Sequence, residues 1–266
     1  MKRNRMPQSH RNLSLERNLQ EALNRGHSVW TVGDIHGYLE EFEALLEKLD
    51  LSDGDMVLCL GDLIDRGPDS HGVLSLVRGS DRIFSIKGNH ELIMSEALSI
   101  HGHRHDFWVE KVGGRATLES MGETEWEQRN QATDWLEFTD TLPTEVILQR
   151  FRFAHSGYST EIPLDEHTDE QRLKSREVFL AQTPLDPNRQ IVAGHTPVQM
   201  LSSFDVEPPS SGIWRSPVKL DDGRDAAVLI DTGIVLRDPS HRPRISAYEL
   251  STGRVEEVER TNQILT

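Results

Sequence analysis

The chain has 266 residues, enough to bury a substantial core as one large α/β domain or two modest ones. Its formal charge of −15 argues against broad electrostatic affinity for nucleic acid or anionic membranes, although a metal cluster can reverse the field inside a cleft. A single cysteine, Cys59, excludes an intrachain disulfide, and its place in an apolar run makes it a buried, inert thiol.

In chain order, a basic lead-in (Lys2, Arg3, Arg5) precedes a helix over Leu13–Arg25 that Gly26 ends. The lead-in lacks the apolar region of a secretory signal, Glu16 and Glu21 fit a mitochondrial presequence poorly, and no apolar stretch reaches the ~18 residues of a membrane helix. A cytoplasmic protein with no membrane partner is expected. A strand at Val29–Val32 then runs into Gly33-Asp34-Ile35-His36-Gly37, and Leu39, Phe42, Leu45, Leu46 and Leu49 recur at helical spacing. Met56–Leu60 leads to Gly61-Asp62-Leu63-Ile64-Asp65-Arg66-Gly67, with a helix over Ser70–Val77 that Asp69 caps. Ile83–Ile86 leads to Lys87-Gly88-Asn89-His90-Glu91 and a helix from Leu92 to Leu98. This βαβαβ order implies parallel strands with right-handed crossovers.

Residues 101–145 differ, with three of the five tryptophans (Trp108, Trp126, Trp135), helical patterns and no strong strand. They read as a helical insertion or cap. Strands return at Val146–Leu148, Phe151–Ala154, Ile191–Ala193, Ala227–Ile230 and Ile245–Leu250, and favour a second sheet packed on the first. The expected organisation is an extension at 1–27, a body at 28–250 containing the insertion, and a tail at 251–266.

Five apolar runs thus end in glycine-bearing loops that carry a hard metal ligand: Asp34 and His36, Asp62, Asn89, His155, and His195. Open α/β sheets bind ligands beyond the carboxyl ends of their strands, so these residues can surround one point. That many oxygen and imidazole donors suits two metal ions. Asp-x-His in a tight turn aims both side chains at one ion, and Asp62 from the neighbouring strand can bridge two. Any one of these residues alone is equally well explained as a helix cap or a backbone partner.

The order GDIHG, GDLIDRG, KGNHE, a later His and GHTP resembles the phosphoprotein phosphatase group of metallophosphoesterases, and within it the small bacterial and phage serine/threonine phosphatases. The likeness covers roughly residues 28–250 and takes in Gly113–Leu118 and Ile230–Gly233. It implies a calcineurin-like α/β fold of two packed mixed sheets flanked by helices, with a helical insertion. It implies that Asp34, His36 and Asp62 hold one divalent ion and Asp62, Asn89, His155 and His195 the other, with Mn²⁺ favoured and Fe, Zn or Co possible. It further implies that His90 is the general acid, oriented by Asp65, that Arg66 grips phosphate, and that a metal-bridging hydroxide attacks in line. Physical chemistry supports these roles: two ions activate the nucleophile and neutralise charge, an imidazole protonates a poor alkoxide leaving group, and a guanidinium fork matches phosphate oxygens.

Two positions depart from that pattern. Lys87 stands where relatives usually carry a phosphate-touching arginine, so it keeps the charge and loses the fork. A W-x-R-E-x-F segment appears as Lys174–Phe179 without its tryptophan, leaving Arg176 as a second phosphate clamp beside the alternative of a solvated helix charge. Of the remaining features, Glu91 reads as a helix-start carboxylate, His10, His27 and His241 as surface residues, His101–His105 as part of the cap, and Ser156 as lacking the base of a hydrolase triad.

The leading expectation is a metal-dependent phosphomonoesterase acting on phosphoserine or phosphothreonine in proteins, or on small phosphoesters. The alternative is a dinucleoside polyphosphate hydrolase. A silent binding module would show a lost ligand or acid, and none is lost. A monomer is expected.

Overall fold

In the computed structural model, residues 11–99 and 104–261 are described. The first third builds α1 (Leu13–Asn24), β1 (Val29–Val32), α2 (Leu39–Leu49), β2 (Met56–Cys59), α3 (Ser70–Gly79), β3 (Ile83–Ser85) and α4 (Asn89–Leu98). The insertion holds a short turn α5 (His105–Phe107) continuing into a wider π turn at Trp108–Val112, then α6 (Gly114–Ser120) and α7 (Glu125–Thr139). The rest supplies β4 (Glu145–Ile147), β5 (Phe151–Ala154), α8 (Asp169–Lys174), β6 (Gln190–Ala193), β7 (Trp214–Arg215), β8 (Ala227–Leu229), β9 (Arg244–Glu249) and β10 (Val255–Glu259).

Two five-stranded sheets result, ordered β10-β9-β1-β2-β3 and β4-β5-β6-β8-β7. β1, β2 and β3 are mutually parallel, as are β5, β6 and β8. β9 runs antiparallel to β1, so Ile245–Leu250 completes the first sheet rather than the expected second. Its apolar pattern reports burial and says nothing about which neighbour it pairs with. β10 pairs antiparallel with β9, so Val255–Glu259 is part of the sheet rather than a tail. α1 also packs into the body: Leu15, Leu19 and Ala22 join the core between the sheets, and Glu16 accepts the Ile147 N–H at 3.0 Å on the edge strand β4.

The parallel strands are buried on both faces, as this topology requires. Val29 of β1 and Leu58 of β2 face Val146, Phe153, Val192 and Val228 of the second sheet. Their neighbours Trp30, Val32, Val57 and Cys59 face α2, α3 and α4 through Phe42, Leu45, Leu74 and Met94. Cys59 is buried, and burial pushes its thiol up. The insertion is not detached: Trp108, Met121, Ala132 and Trp135 lie in this same cluster. The sheets therefore stack so that the carboxyl ends of β1, β2, β5 and β6 meet. His195 N–H donates to Asp34 Oδ1 at 3.0 Å, and His155 Nδ1 donates to the Leu60 carbonyl at 2.7 Å, each bond crossing from one sheet to the other.

Candidate metal centre and catalytic site

The loops that follow these strands are sharply bent. His36, Asp62, Asp65, Arg66 and His195 all adopt positive φ, between 49° and 75°. Such conformations cost about 1 kcal/mol or more in a residue other than glycine, and they persist where the surroundings over-determine them. Space is equally tight at Gly194, where a Cβ would meet Asp34 Oδ1 at 2.4 Å.

Two sets of ligand atoms converge among the described residues, His36, Asp62 and His90 in one and Asp62, His155 and His195 in the other, with every atom of a set within 4.8 Å of the rest. Asp62 belongs to both sets and is buried. Its Oδ2 lies 3.6 Å from His36 Nε2 and 3.4 Å from His155 Nε2. Asp34 Oδ2 is 3.9 Å from His36 Nε2, and Asn89 Oδ1 is 2.9 Å from His155 Nε2. All six expected ligands therefore meet at one centre. His90 enters the first set as well: its Nε2 is 3.8 Å from Asp62 Oδ2.

The tautomers suit cations. Nδ1 of His36 donates to the Ile64 carbonyl at 2.9 Å, as Nδ1 of His155 does to Leu60, and each thereby turns its Nε2 inward. Asn89 Oδ1, His195 Nδ1 and Asp62 Oδ2 all point at His155 Nε2, at 2.9, 3.2 and 3.4 Å. Acceptors so arranged need a proton or a metal ion among them. Charge says the same. Burial, then Asp231, pushes Asp34 well above the carboxylate range, and burial pushes Asp231 up to about 6. Burial opposes ionisation of Asp62 too, but His155, His90 and His36 hold it well below the usual value. Burial, followed by the fields of His90 and Arg66 on His36 and of His155 and Arg176 on His195, drives both well below the imidazole range. Hard carboxylate and amide oxygens with borderline imidazoles form a donor set fit for divalent metals.

Beside this centre, His90 Nδ1 donates to Asp65 Oδ2 at 2.6 Å. Arg66, exposed at the rim, donates from Nη1 to His36 Nε2 at 3.1 Å and from Nη2 to His90 Nε2 at 2.9 Å. Glu91 is the helix-start carboxylate anticipated: it accepts the N–H groups of Asp62, Leu63 and Gly88 at 3.1, 2.8 and 2.7 Å.

All six ligands, with Asp65, Arg66 and His90, lie within residues 27–228, which match the family model of the calcineurin-like phosphoesterases. The chain belongs to the calcineurin-like phosphoesterase family. This phosphoesterase is 27% identical to serine/threonine-protein phosphatase 1 of Salmonella typhimurium over 198 residues, 69% of this chain and 85% of that protein. It is 41% identical to serine/threonine-protein phosphatase 2 of Escherichia coli over 139 residues, 52% of this chain and 53% of the relative. A symmetrical bis(5'-nucleosyl)-tetraphosphatase of Paracidovorax citrulli is 36% identical over 134 residues, 49% and 44% of the two chains. The latter two matches span about half of those proteins or less. A metallophosphoesterase structure from Sphaerobacter thermophilus shares the fold, with a TM-score of 0.53 at 20% identity over 88% of each chain.

Two expected phosphate contacts of the phosphoesterase fare differently. Arg176 is exposed and donates to Thr196 Oγ1 at 3.1 Å, beside His195, so it does reach the site. Lys87 does not offer its ammonium freely: it is bound to Asp140 at 2.9 Å, at the end of α7, and is buried. The His101–His103 stretch lies outside the described residues, as does His10. His27 and His241 are half-buried, and Ser156 donates to the Arg172 carbonyl. Three site neighbours escaped the sequence reading. Asp231 follows β8 in a segment that was noted without a role, and Trp108 and Thr117 touch Asp65 from the insertion. Thr117, like Asp231, lies in a segment noted without a role (Gly113–Leu118), and no short-range pattern marks Trp108.

Proposed function

We propose that this phosphoesterase is a metal-dependent phosphomonoesterase acting on phosphoserine and phosphothreonine in proteins. One observation carries this reading: an imidazole held by a buried carboxylate, His90 on Asp65 at 2.6 Å, stands with the Arg66 fork at the edge of the ligand cluster. Asp34, His36 and Asp62 would hold one divalent ion, and Asp62, Asn89, His155 and His195 the other, with manganese favoured by resemblance. Bound there, the ions supply a nucleophile at neutral pH and neutralise phosphoryl charge.

The chain's own groups do the rest. The Arg66 fork, which here rests on His36 and His90, would turn its two parallel donors to phosphoryl oxygens, and Arg176 would add a second cation from the opposite loop. Asp65 fixes His90 through Nδ1, and once the Arg66 fork turns from His90 to the phosphate, Nε2 is free to carry the proton it delivers to the seryl oxygen as its bond to phosphorus breaks. A seryl alkoxide is a poor leaving group that needs this proton. A nucleoside polyphosphate leaves as a stabilised anion and needs it less.

That difference favours the monoesterase over hydrolysis of dinucleoside tetraphosphates, the reading suggested by the Paracidovorax relative. The substrate is a phosphoprotein or small phosphoester, and the working form is a monomer without nucleic-acid or membrane partners, acting in the cytoplasm. Among the described residues, no helix is long and apolar enough to cross a membrane. Mn²⁺-supplemented hydrolysis of a phosphoserine peptide and of diadenosine tetraphosphate, measured side by side, decides between the two readings. Higher kcat/KM on the peptide supports the proposal, and a strong preference for the dinucleotide overturns it.

A further inference from the structure

We propose that Trp108 and Thr117 of the helical insertion are positioning residues for proton delivery, an inference that rests on reading His90 as the donor. Asp65 is fully buried, and among the described residues its ion pair is with His90 alone. Its other partners are neutral. Trp108 Nε1 donates to both carboxylate oxygens at 3.1 Å, and Thr117 Oγ1 donates to Oδ1 at 2.6 Å.

The directions of these bonds are forced. An ionised carboxylate only accepts, so the Thr117 hydroxyl must donate to it. Thr117 Oγ1 in turn accepts the Asp65 N–H at 2.9 Å and the hydroxyl of Ser70 at 3.1 Å. One threonine therefore grips both the backbone and the carboxylate of a residue whose φ is 73°. Trp108 is fully buried on the π turn, its indole against the backbone of α6, where a Cβ on Gly114 would meet the ring at 2.3 Å.

Neutral donors hold the carboxylate without cancelling its charge. An arginine or lysine in their place would compete with His90 for the carboxylate oxygens. With Trp108 and Thr117 in place, Oδ2 stays aimed at His90 Nδ1. When the ester bond breaks, His90 Nε2 passes a proton to the leaving oxygen while its Nδ1–H stays on Asp65 Oδ2.

The test compares kcat on a phosphoserine peptide with kcat on 4-nitrophenyl phosphate, whose leaving group needs no proton, for W108F, T117V, T117S and H90N. W108F and T117V are expected to lose about 10–100-fold on the peptide, the range typical of groups that orient a reacting residue, with a far smaller loss on the aryl ester and KM unchanged on both. T117S keeps the hydroxyl and is expected to recover most of the peptide activity that T117V loses. Equal losses on the two substrates, or T117S falling with T117V, overturns the inference. If W108F fails to fold, the two threonine variants decide alone. Should H90N show the substrate split while W108F and T117V do not, the positioning role fails and the donor reading stands. Should H90N itself show no split, both fall.

Discussion

His155 Nε2 lies among three acceptors, Asn89 Oδ1, His195 Nδ1 and Asp62 Oδ2. Burial works against a charge there, but the field and hydrogen bond of Asp62, with Asp34 and the Leu60 carbonyl, overcome it and push the imidazole up to about 10. In the metal-free protein His155 is therefore protonated at neutral pH. A metal ion needs the lone pair, so uptake must expel that proton. Metal affinity is expected to rise about tenfold per pH unit between roughly pH 6.5 and 9, with about one proton released from this group. Calorimetry in buffers of different ionisation enthalpy measures the release, and affinity that is flat across this range would count against the arrangement. Lys87 gives a second residue-scale prediction. Its ammonium is tied to Asp140, whose side chain is half exposed, so K87M should cost about 1 kcal/mol of stability or less and leave KM for phosphopeptides nearly unchanged. A large rise in KM with unchanged stability would restore the phosphate role expected from its place in the motif.

At the scale of elements, a strand and its ligand loop are contiguous, which is why Asp34, His36, Asp62, Asn89, His155 and His195 were legible in the sequence. An apolar run, a glycine and a hard ligand sit within a few residues of one another. The contacts that complete the site are not local. Asp65 meets Trp108 and Thr117 across 43 and 52 residues, and Lys87 meets Asp140 across 53. Nothing in the spacing of a helical insertion announces such partners. Sheet membership was hidden for a related reason. β9 has the same apolar pattern in either sheet, and its pairing with β1 is set by tertiary packing. β10, Val255-Glu256-Glu257-Val258-Glu259, carries too few apolar residues to read as a strand until β9 lies beside it. Gly194 supplies the prediction here, because β6 must pass Asp34 with no side chain between them. G194A should keep the fold, as judged by its circular dichroism and melting, while metal affinity falls about 10–100-fold through displacement of Asp34 or His195. Unchanged affinity would mean that the loop end is softer than its contacts imply.

For the whole molecule, a net charge of −15 surrounds a site built to take an anion. Arg66 and Arg176 are exposed at the site, and bound cations would add local positive charge. On the proposed phosphoprotein activity, an approaching phosphopeptide would nevertheless meet an acidic surface first. Peptides with basic residues flanking the phosphoserine should therefore show higher kcat/KM than acidic ones at low salt. The two classes should converge as salt shortens the screening length from about 10 Å at 0.1 M to about 3 Å at 1 M. A preference that persists at high salt would place its origin in direct contacts. The two sheets, joined where Asp34 bonds His195 and His155 bonds Leu60, make a single ligand-bearing rim from the carboxyl ends of strands in both. Anomalous diffraction from crystals grown with Mn²⁺ tests that rim most directly. Two peaks about 3.5–4 Å apart are predicted, with Asp62 between them, Asp34 and His36 on one, and Asn89, His155 and His195 on the other. A single peak, or peaks that do not share Asp62, would contradict the two-metal centre.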